Sequence, residues 1–329
     1  MEKAALCEAC QKNAMNVVEN SDEPKQPYQL CHPCHKRLLN YSLRPIEWYN
    51  LAVLHSPKQF LLHDDFYGED GQAFQLEDDV IVTKEDKAPT LQDVRQDLAS
   101  LLDFSITRWF LEGDVIDALK QHDEKKILDS VQSRFDVTRH VEVKSRMIEI
   151  AADVLGTSAA GWVRELLDQA DEEFLYPLSW AAASSLPEDE GLQHVIEKLK
   201  SISEKELPTA AFICLYRFRS YKIMDWMESA CTQFHDHWGR LAAVSCPTWD
   251  RMKTWLDKGR PFSLIALDTM ANCAKGNRPV LVEQCSPKIL RTDKNEVENT
   301  LNDYLQKDRV PRVKMKVSKI MNNKEDIFE

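Results

Sequence analysis

Glycine is scarce in this sequence: nine of the 329 residues are glycine, which is less than half of the usual share of about 7%. Because tight loops draw on glycine for positive φ angles, the shortage disfavours turn-rich β sandwiches and doubly wound α/β folds. No run of residues approaches the roughly 18 consecutive apolar residues that a membrane-spanning helix needs. The N-terminal residues also lack the apolar stretch of a secretory signal. We therefore expect a mainly α protein without a membrane segment.

Signature motifs of the common enzyme classes are absent as well. The sequence contains no G-x-x-x-x-G-K-[ST], G-x-G-x-x-G, G-x-S-x-G or H-E-x-x-H motif. This absence favours a non-enzymatic role without excluding an enzyme. The formal net charge of −12 at pH 7 predicts repulsion from polyanions and disfavours nucleic acid as a partner. The nine cysteines are an odd number, and five of them are isolated. This usage is typical of a reducing interior and predicts a cytoplasmic protein.

Four cysteines form two close pairs, Cys7-x2-Cys10 and Cys31-x2-Cys34. Two residues between cysteines turn the backbone so that both sulfurs reach one ion, and two such turns complete a tetrahedron around Zn²⁺. The spacing therefore predicts a structural zinc site with no open position for catalysis. Four thiolates also bind iron–sulfur clusters, which leaves iron as the lesser alternative. His32 and His35 lie beside these cysteines and either replace one of them as a ligand or are exposed neighbours; we favour the exposed neighbours.

The segment that carries the cysteine pairs resembles a treble-clef zinc finger. Residues 13–18 and 27–30 are predicted to form a β-hairpin, and a helix is predicted directly after Cys34. A zinc ribbon, with a strand in place of this helix, is the lesser alternative. With the helical run that follows it, the module is expected to span residues 1–55.

An acidic connector is expected over residues 56–90, with irregular structure and short strands. It contains His63, Asp64 and Asp65, which either form a polar turn or hold a cation, and we favour the turn.

Residues 91–329 have the apolar spacing of helices almost throughout. Alternate helices carry small or short apolar side chains at their centres, with intervals of 31, 31, 29 and 24 residues along the series Ala151, Ala182, Ile213, Ala242 and Ala266. A period near 30 is typical of helical repeats. Over about residues 142–275 the pattern resembles a HEAT-like repeat, which implies an α-solenoid of antiparallel helical hairpins. A non-repetitive helical bundle is the alternative.

The expected function follows from this architecture. Solenoids expose long surfaces because each repeat contacts only its neighbours, so we expect a scaffold or adaptor that binds a protein partner. The HEAT-like resemblance also suggests a nucleic-acid-binding protein of the HEAT-like DNA glycosylase type. A lyase or maturation factor built on helical repeats is the third alternative.

Several further residues are candidates for weaker roles. Asp236 is predicted to cap a helix, with His235 and His237 pointing apart, so a metal pair there is disfavoured. Arg217 and Arg219 are candidates for a cationic spot on the repeat surface. The basic segment 309–319 is expected either to contact phosphates or to pair with acids near residues 77–86. Six tryptophans are expected to pack between hairpins: Trp162, Trp180, Trp226, Trp238, Trp249 and Trp255.

Overall fold

The computed structural model describes residues 6–12, 28–40, 42–55, 87–169, 172–273, 289 and 292–328. The chain forms two compact units, Met1–Glu165 and Leu166–Glu329. The described residues are mainly α-helical, as the sequence predicts. The helices are α1 His32–Leu39, α2 Pro45–His55, α3 Leu91–Val94, α4 Leu98–Ile106, α5 Gly113–Leu119, α6 Glu124–Val137, α7 Val141–Ile150, α8 Ala160–Gln169, α9 Leu175–Ser185, α10 Glu188–Leu199, α11 Leu207–Leu215, α12 Lys222–Ala230, α13 Asp236–Val244, α14 Trp249–Lys258, α15 Phe262–Asn272, α16 Lys294–Lys307, α17 Pro311–Asn322 and α18 Lys324–Ile327.

In the first unit, α2 packs against α4 and α7, and α6 packs against α7. Helix α7 continues into a π-helical turn, Ala151–Leu155, and then a 3-10 turn, Gly156–Ala159. Gly156 has a φ of 51°, which costs glycine little because it has no Cβ. Ala151, the first predicted repeat centre, is buried in this π-helical turn.

In the second unit, alternate helices pack on one another in a row. Helix α9 contacts α11, α11 contacts α13, α13 contacts α15 and α15 contacts α17. We call these five helices the first row. Small residues permit close packing within it: a Cβ added at Gly239 of α13 would lie 2.5 Å from a carboxylate oxygen of Asp268 on α15. The predicted small centres Ala182, Ala242 and Ala266 are buried in this row.

Helices α10, α12, α14 and α16 form a second row. Each packs against a first-row helix, α10 against α9 and α11, α12 against α13, α14 against α15, and α16 against α17. Ion pairs connect neighbours within the second row: Lys222 pairs with Asp189, Arg251 pairs with Asp225, and Lys253 Nζ lies 2.7 Å from Glu296 Oε1. The second row therefore presents a charged surface.

Prolines stand at several helix starts of the second unit. Pro187 precedes α10, Pro208 is the second residue of α11, and Pro261 precedes α15. Proline is tolerated at these positions because a first-turn N–H has no partner within the helix.

The expectation for Asp236 is wrong. The cap of α13 is His235, whose Nδ1 accepts a hydrogen bond from the backbone N–H of His237 at 3.2 Å. Because His235 precedes the helix with extended backbone, its ring centroid lies 4.9 Å from that of His237. The two rings therefore do not point apart.

The predicted β-hairpin is not found among the residues that the structure describes. Its first strand, 13–18, lies outside them, and residues 28–30 lead into α1 without forming a strand. The backbone N–H of Glu8 nevertheless donates to the carbonyl of Gln29 at 3.0 Å. The predicted connector strands and His63–Asp65 also lie outside the described residues. In the described part of the chain, no helix is long and apolar enough to cross a membrane.

Candidate metal centre

Two local structures position the four predicted cysteine ligands. Cys7 and Cys10 lie on a tight turn, which the backbone N–H of Gln11 closes by donating to the Cys7 carbonyl at 2.9 Å. Gln11 has a φ of 53°, a left-handed conformation that a non-glycine residue adopts at some cost. Cys31 precedes α1, and Cys34 lies in the first turn of that helix. The helix dipole favours negative charge at this end, where both sulfurs are attached.

The four sulfurs converge as the spacing predicts. The Sγ atoms of Cys7, Cys10, Cys31 and Cys34 all lie within 4.8 Å of one another, and all four residues are buried. Cys10 Sγ and Cys31 Sγ are 3.8 Å apart, well beyond the roughly 2.05 Å of a disulfide bond. Sulfurs bound to one ion at about 2.3 Å in a tetrahedron are separated by about 3.8 Å. The four cysteines are therefore arranged to hold a metal ion.

The chemistry of the donor set agrees with this arrangement. Burial raises the pKa of the Cys7 thiol and of the Cys34 thiol, so without a cation these groups favour their neutral form. A bound cation reverses this preference because it interacts directly with the thiolates. Soft sulfur ligands select zinc or iron over magnesium or calcium.

A fully buried carboxylate, Glu47 of α2, lies next to the cysteine cluster. Arg37 donates to both of its oxygens, with Nε 2.9 Å from Oε2. Arg44 also donates twice, from Nη2 to Oε1 at 2.6 Å and from its backbone N–H to Oε2 at 3.1 Å. Burial would raise the pKa of Glu47, but the hydrogen bonds from Arg44 and Arg37 outweigh it and hold the pKa below its usual range. Arg37 Nη2 additionally lies 3.2 Å from Cys34 Sγ.

A second polar contact links the cysteine turn to the helices of the first unit. His55, at the end of α2, places Nε2 3.0 Å from Glu8 Oε2 and Nδ1 3.3 Å from His140 Nδ1. The ring of Tyr28 meets that of His55 edge-on, with centroids 4.9 Å apart. Asn50 of α2 donates to the Ala9 carbonyl at 2.8 Å. Helix α2 therefore holds the cysteine turn by several contacts.

The sequence pattern predicts the four cysteines of the cluster but not the polar residues around them. Glu47, Arg37 and His55 received no prediction. The spacing of Arg37 three residues after Cys34 is a usable signal, since residues i and i+3 share a helix face. Nothing in the sequence around Glu47 indicates that this carboxylate is buried.

The neighbouring histidines are not needed to complete the cluster. His32 is exposed and His35 is half-buried, while the four sulfurs converge without them. Among the described residues, the cysteine cluster is the only group of three or more His, Cys, Asp or Glu side chains with ligand atoms close enough to share an ion. Comparison of the chain with protein-family models, curated proteins and solved structures finds no match.

The basic C-terminal segment has carboxylate partners in the second unit. Arg312 Nη2 lies 2.9 Å from Asp236 Oδ1 on α13, and Lys316 pairs with Asp268 on α15. The predicted acidic partners near residues 77–86 lie outside the described residues. Of the two other predicted cations, Arg217 stacks its guanidinium 4.3 Å from the ring centroid of Trp180, and Arg219 is exposed.

Proposed function

We propose that this chain is a non-enzymatic, protein-binding scaffold. In this proposal the second unit is a HEAT-like α-solenoid, and a partner protein binds the exposed surface of its first row. The cysteine cluster belongs to a treble-clef module with structural zinc.

The absence of charge on two neighbouring first-row helices carries the proposal. Helices α9 and α11 contain no charged residue, although 29% of the whole chain is charged. Ion pairs lie along the second row instead. The centres of protein interfaces are poor in charged residues and rich in aromatic ones, so α9 and α11 are the part of the first row that suits a protein partner.

Three side chains on α9 or just after α11 are of the types that dominate binding energy. Tyr176 on α9 is 43% exposed, and Trp180 is half-buried one turn later. Arg217 stacks on the Trp180 ring and keeps its position by that contact. Tyrosine, tryptophan and arginine are enriched at the residues where substitution weakens interfaces most.

A nucleic-acid partner has less support. A protein of the HEAT-like DNA glycosylase type needs cations directed at phosphates. Arg312 and Lys316 of the first-row helix α17 each pair with a carboxylate, which reduces the net positive charge that they offer to a phosphate backbone.

A lyase or maturation factor is also less well supported. It requires histidine, cysteine or acidic side chains that converge where a substrate can reach them. Glu8, His55 and His140 do converge, but His55 is only 1% exposed. The His55 ring is therefore part of the packed interior of the first unit, where a substrate does not reach it.

Zinc is the metal that we propose for the cysteine cluster. Four thiolates at tetrahedral spacing make its commonest kind of closed structural site. A segment of about 40 residues buries too little surface to fold alone, and a bound metal stabilises it directly. Helix α1, which carries Cys34, supports a treble clef over a ribbon.

The proposed function predicts different effects for two tyrosine substitutions. Tyr176 lies on the first row, and Tyr221, which is 54% exposed, lies next to α12 of the second row. We expect Tyr176→Ser to reduce capture of a partner protein from the native cell's lysate at least tenfold. Tyr221→Ser should leave capture unchanged. Quantitative mass spectrometry of nuclease-treated samples measures both, and equal capture by the two variants, or loss of all captured protein on nuclease treatment, would contradict the proposal.

A further inference from the structure

The environment of one metal-ligating sulfur differs from what the ligand spacing alone suggests. Cys34 Sγ and Glu47 Oε1 are only 3.6 Å apart, and both are buried. A metal-bound thiolate and a carboxylate are both negative, and like charges at this distance repel strongly where water is excluded. The buried Glu47 therefore disfavours the thiolate that a metal needs at Cys34 unless a cation contacts both groups.

Arg37 is in the position to supply that cation. Its Nη2 lies 3.2 Å from Cys34 Sγ and also donates to Glu47 Oε1, so a single nitrogen contacts both negative atoms. Its Nε holds the other carboxylate oxygen at 2.9 Å. This paired geometry is the one that guanidinium–carboxylate recognition uses, and it fixes the direction of the remaining N–H groups.

Arg44 adds a second positive charge to Glu47. It donates to Glu47 from its backbone and its side chain. Four thiolates with a divalent ion carry a net charge of about −2; Glu47 adds −1, and the two guanidinium groups add +2. Both arginines hold the same carboxylate, and Arg37 also contacts the Cys34 sulfur.

We infer that Arg37 is a positioning residue for the metal centre: its positive charge contacts both the Cys34 thiolate and Glu47 and offsets their repulsion, it donates to the sulfur, and it is itself held in place by Glu47. Metal affinity then depends on Arg37 although it is not a ligand. The inference rests on the proposed metal at the four cysteines. It adds that α2, through Glu47, contributes to the metal's surroundings.

The test compares metal affinity in the full-length chain, using Zn²⁺ in competition with a chromophoric chelator. Arg37→Met should weaken Zn²⁺ binding by about 10- to 100-fold, the usual effect of losing a contact to a ligand. Lys36→Met is the matched control, because Lys36 is an exposed neighbour on α1 and the substitution removes the same charge. It should bind Zn²⁺ as the wild type does.

A double substitution distinguishes an electrostatic role of Arg37 from a purely structural one. In Arg37→Met with Glu47→Gln, no carboxylate remains beside Cys34, so Zn²⁺ affinity should recover to within about tenfold of the wild type. A role in packing alone predicts the opposite, since the second substitution then adds damage. The charge-transfer band of the Co²⁺ form should also shift in Arg37→Met, because the sulfur loses its hydrogen bond.

Three results would overturn the inference. They are unchanged affinity in Arg37→Met, a double variant as weak as the single one, or an unchanged Co²⁺ spectrum. If Arg37→Met does not fold, Arg37→Lys replaces it: the charge stays but the paired contact is lost, and the affinity should fall less than tenfold. Failure of the wild type to bind either metal would instead contradict the proposed metal site itself.

Discussion

At the scale of single residues, a carboxylate and two histidine rings in the first unit contact one another in series. His55 contacts Glu8 through one ring nitrogen and His140 through the other. Burial, and then the charge of His55, lowers the pKa of His140 below its ordinary value. Burial would raise the pKa of Glu8, but the hydrogen bonds from His55 and the Gln29 backbone lower it below its usual range.

His140 should therefore make the stability of the first unit depend on pH. The unfolded chain regains the ordinary histidine pKa of about 6.5. Below that pH it binds more protons than the folded chain, and the free energy of unfolding falls as the pH falls. We expect this decrease between about pH 7.5 and 5.5 to be steeper in the wild type than in His140→Asn. Urea unfolding at a series of pH values measures both slopes.

Equal slopes for the two proteins would contradict this explanation. Glu8 does not contribute in the same window, because its lowered pKa keeps it ionised there; its stabilisation is present above the ordinary carboxyl pKa and is lost only in stronger acid. Proton competition for the cysteine thiolates affects both proteins alike, so it cancels in the comparison.

The spacing of the cysteines predicts the ligand residues of the candidate metal centre but not the buried carboxylate beside them. The pattern of Cys7, Cys10, Cys31 and Cys34 is sufficient for the ligand set, because the geometry around one ion constrains the spacing. Glu47 could not be predicted, since its burial depends on how α2 packs on the module. That packing is a tertiary contact with no local signal.

At the scale of helices, one carboxylate connects two members of the second row. Glu228 of α12 accepts from three side chains of α14: Arg251 Nη1 at 2.7 Å, Lys258 Nζ at 2.6 Å and Trp255 Nε1 at 2.7 Å. Burial would raise the pKa of Glu228, but the hydrogen bonds from Lys258, Trp255 and Arg251 lower it to about 2. This stabilisation is present above the ordinary pKa and is lost as the pH falls towards 2.

Two substitutions of Glu228 should differ in cost. Glu228→Gln keeps an acceptor for Trp255 and removes the charge, so we expect a loss of about 1 kcal/mol because the ion pairs are partly exposed. Glu228→Ala leaves the N–H of the buried Trp255 without this acceptor and should cost a further 1–3 kcal/mol, roughly. Urea unfolding measures the difference.

Glu296→Gln is the control, because its pair with Lys253 is more exposed and should contribute less to stability than the contacts of Glu228. Equal costs for the glutamine and alanine variants of Glu228 would show that the Trp255 hydrogen bond is not what connects the two helices.

Helix positions are more predictable than helix geometry. Prolines and small central residues indicate where α9, α11 and α15 lie, because proline and alanine act locally on backbone and packing. The π-helical turn at Ala151–Leu155 has the same apolar spacing as an ordinary helix turn. His235 caps α13 with a ring nitrogen, whereas capping preferences favour the aspartate that follows it.

At the scale of the whole molecule, metal loss should affect the cysteine module far more than the helices. Most helices of the chain belong to neither the cysteine turn nor α1. We expect Cys31→Ser with Cys34→Ser to release the metal and disorder residues 1–41 while far-UV circular dichroism keeps nearly all of its helical signal. A large loss of that signal would mean that the module and the other helices form one cooperative core.

The net charge of the chain does not describe its surfaces individually. The value of −12 averages over a second row with many charged residues and over two first-row helices with none. The sequence pattern predicts helices with small residues at their centres, but that the two uncharged helices α9 and α11 are neighbours in one row depends on tertiary packing.

The most direct test of the central claim is X-ray absorption spectroscopy of the purified wild-type chain at the zinc edge. If the four cysteines hold structural zinc, the spectrum will show one zinc per chain with four sulfur neighbours at about 2.3 Å. Zinc with nitrogen or oxygen neighbours, iron in its place, or no bound metal would contradict the claim.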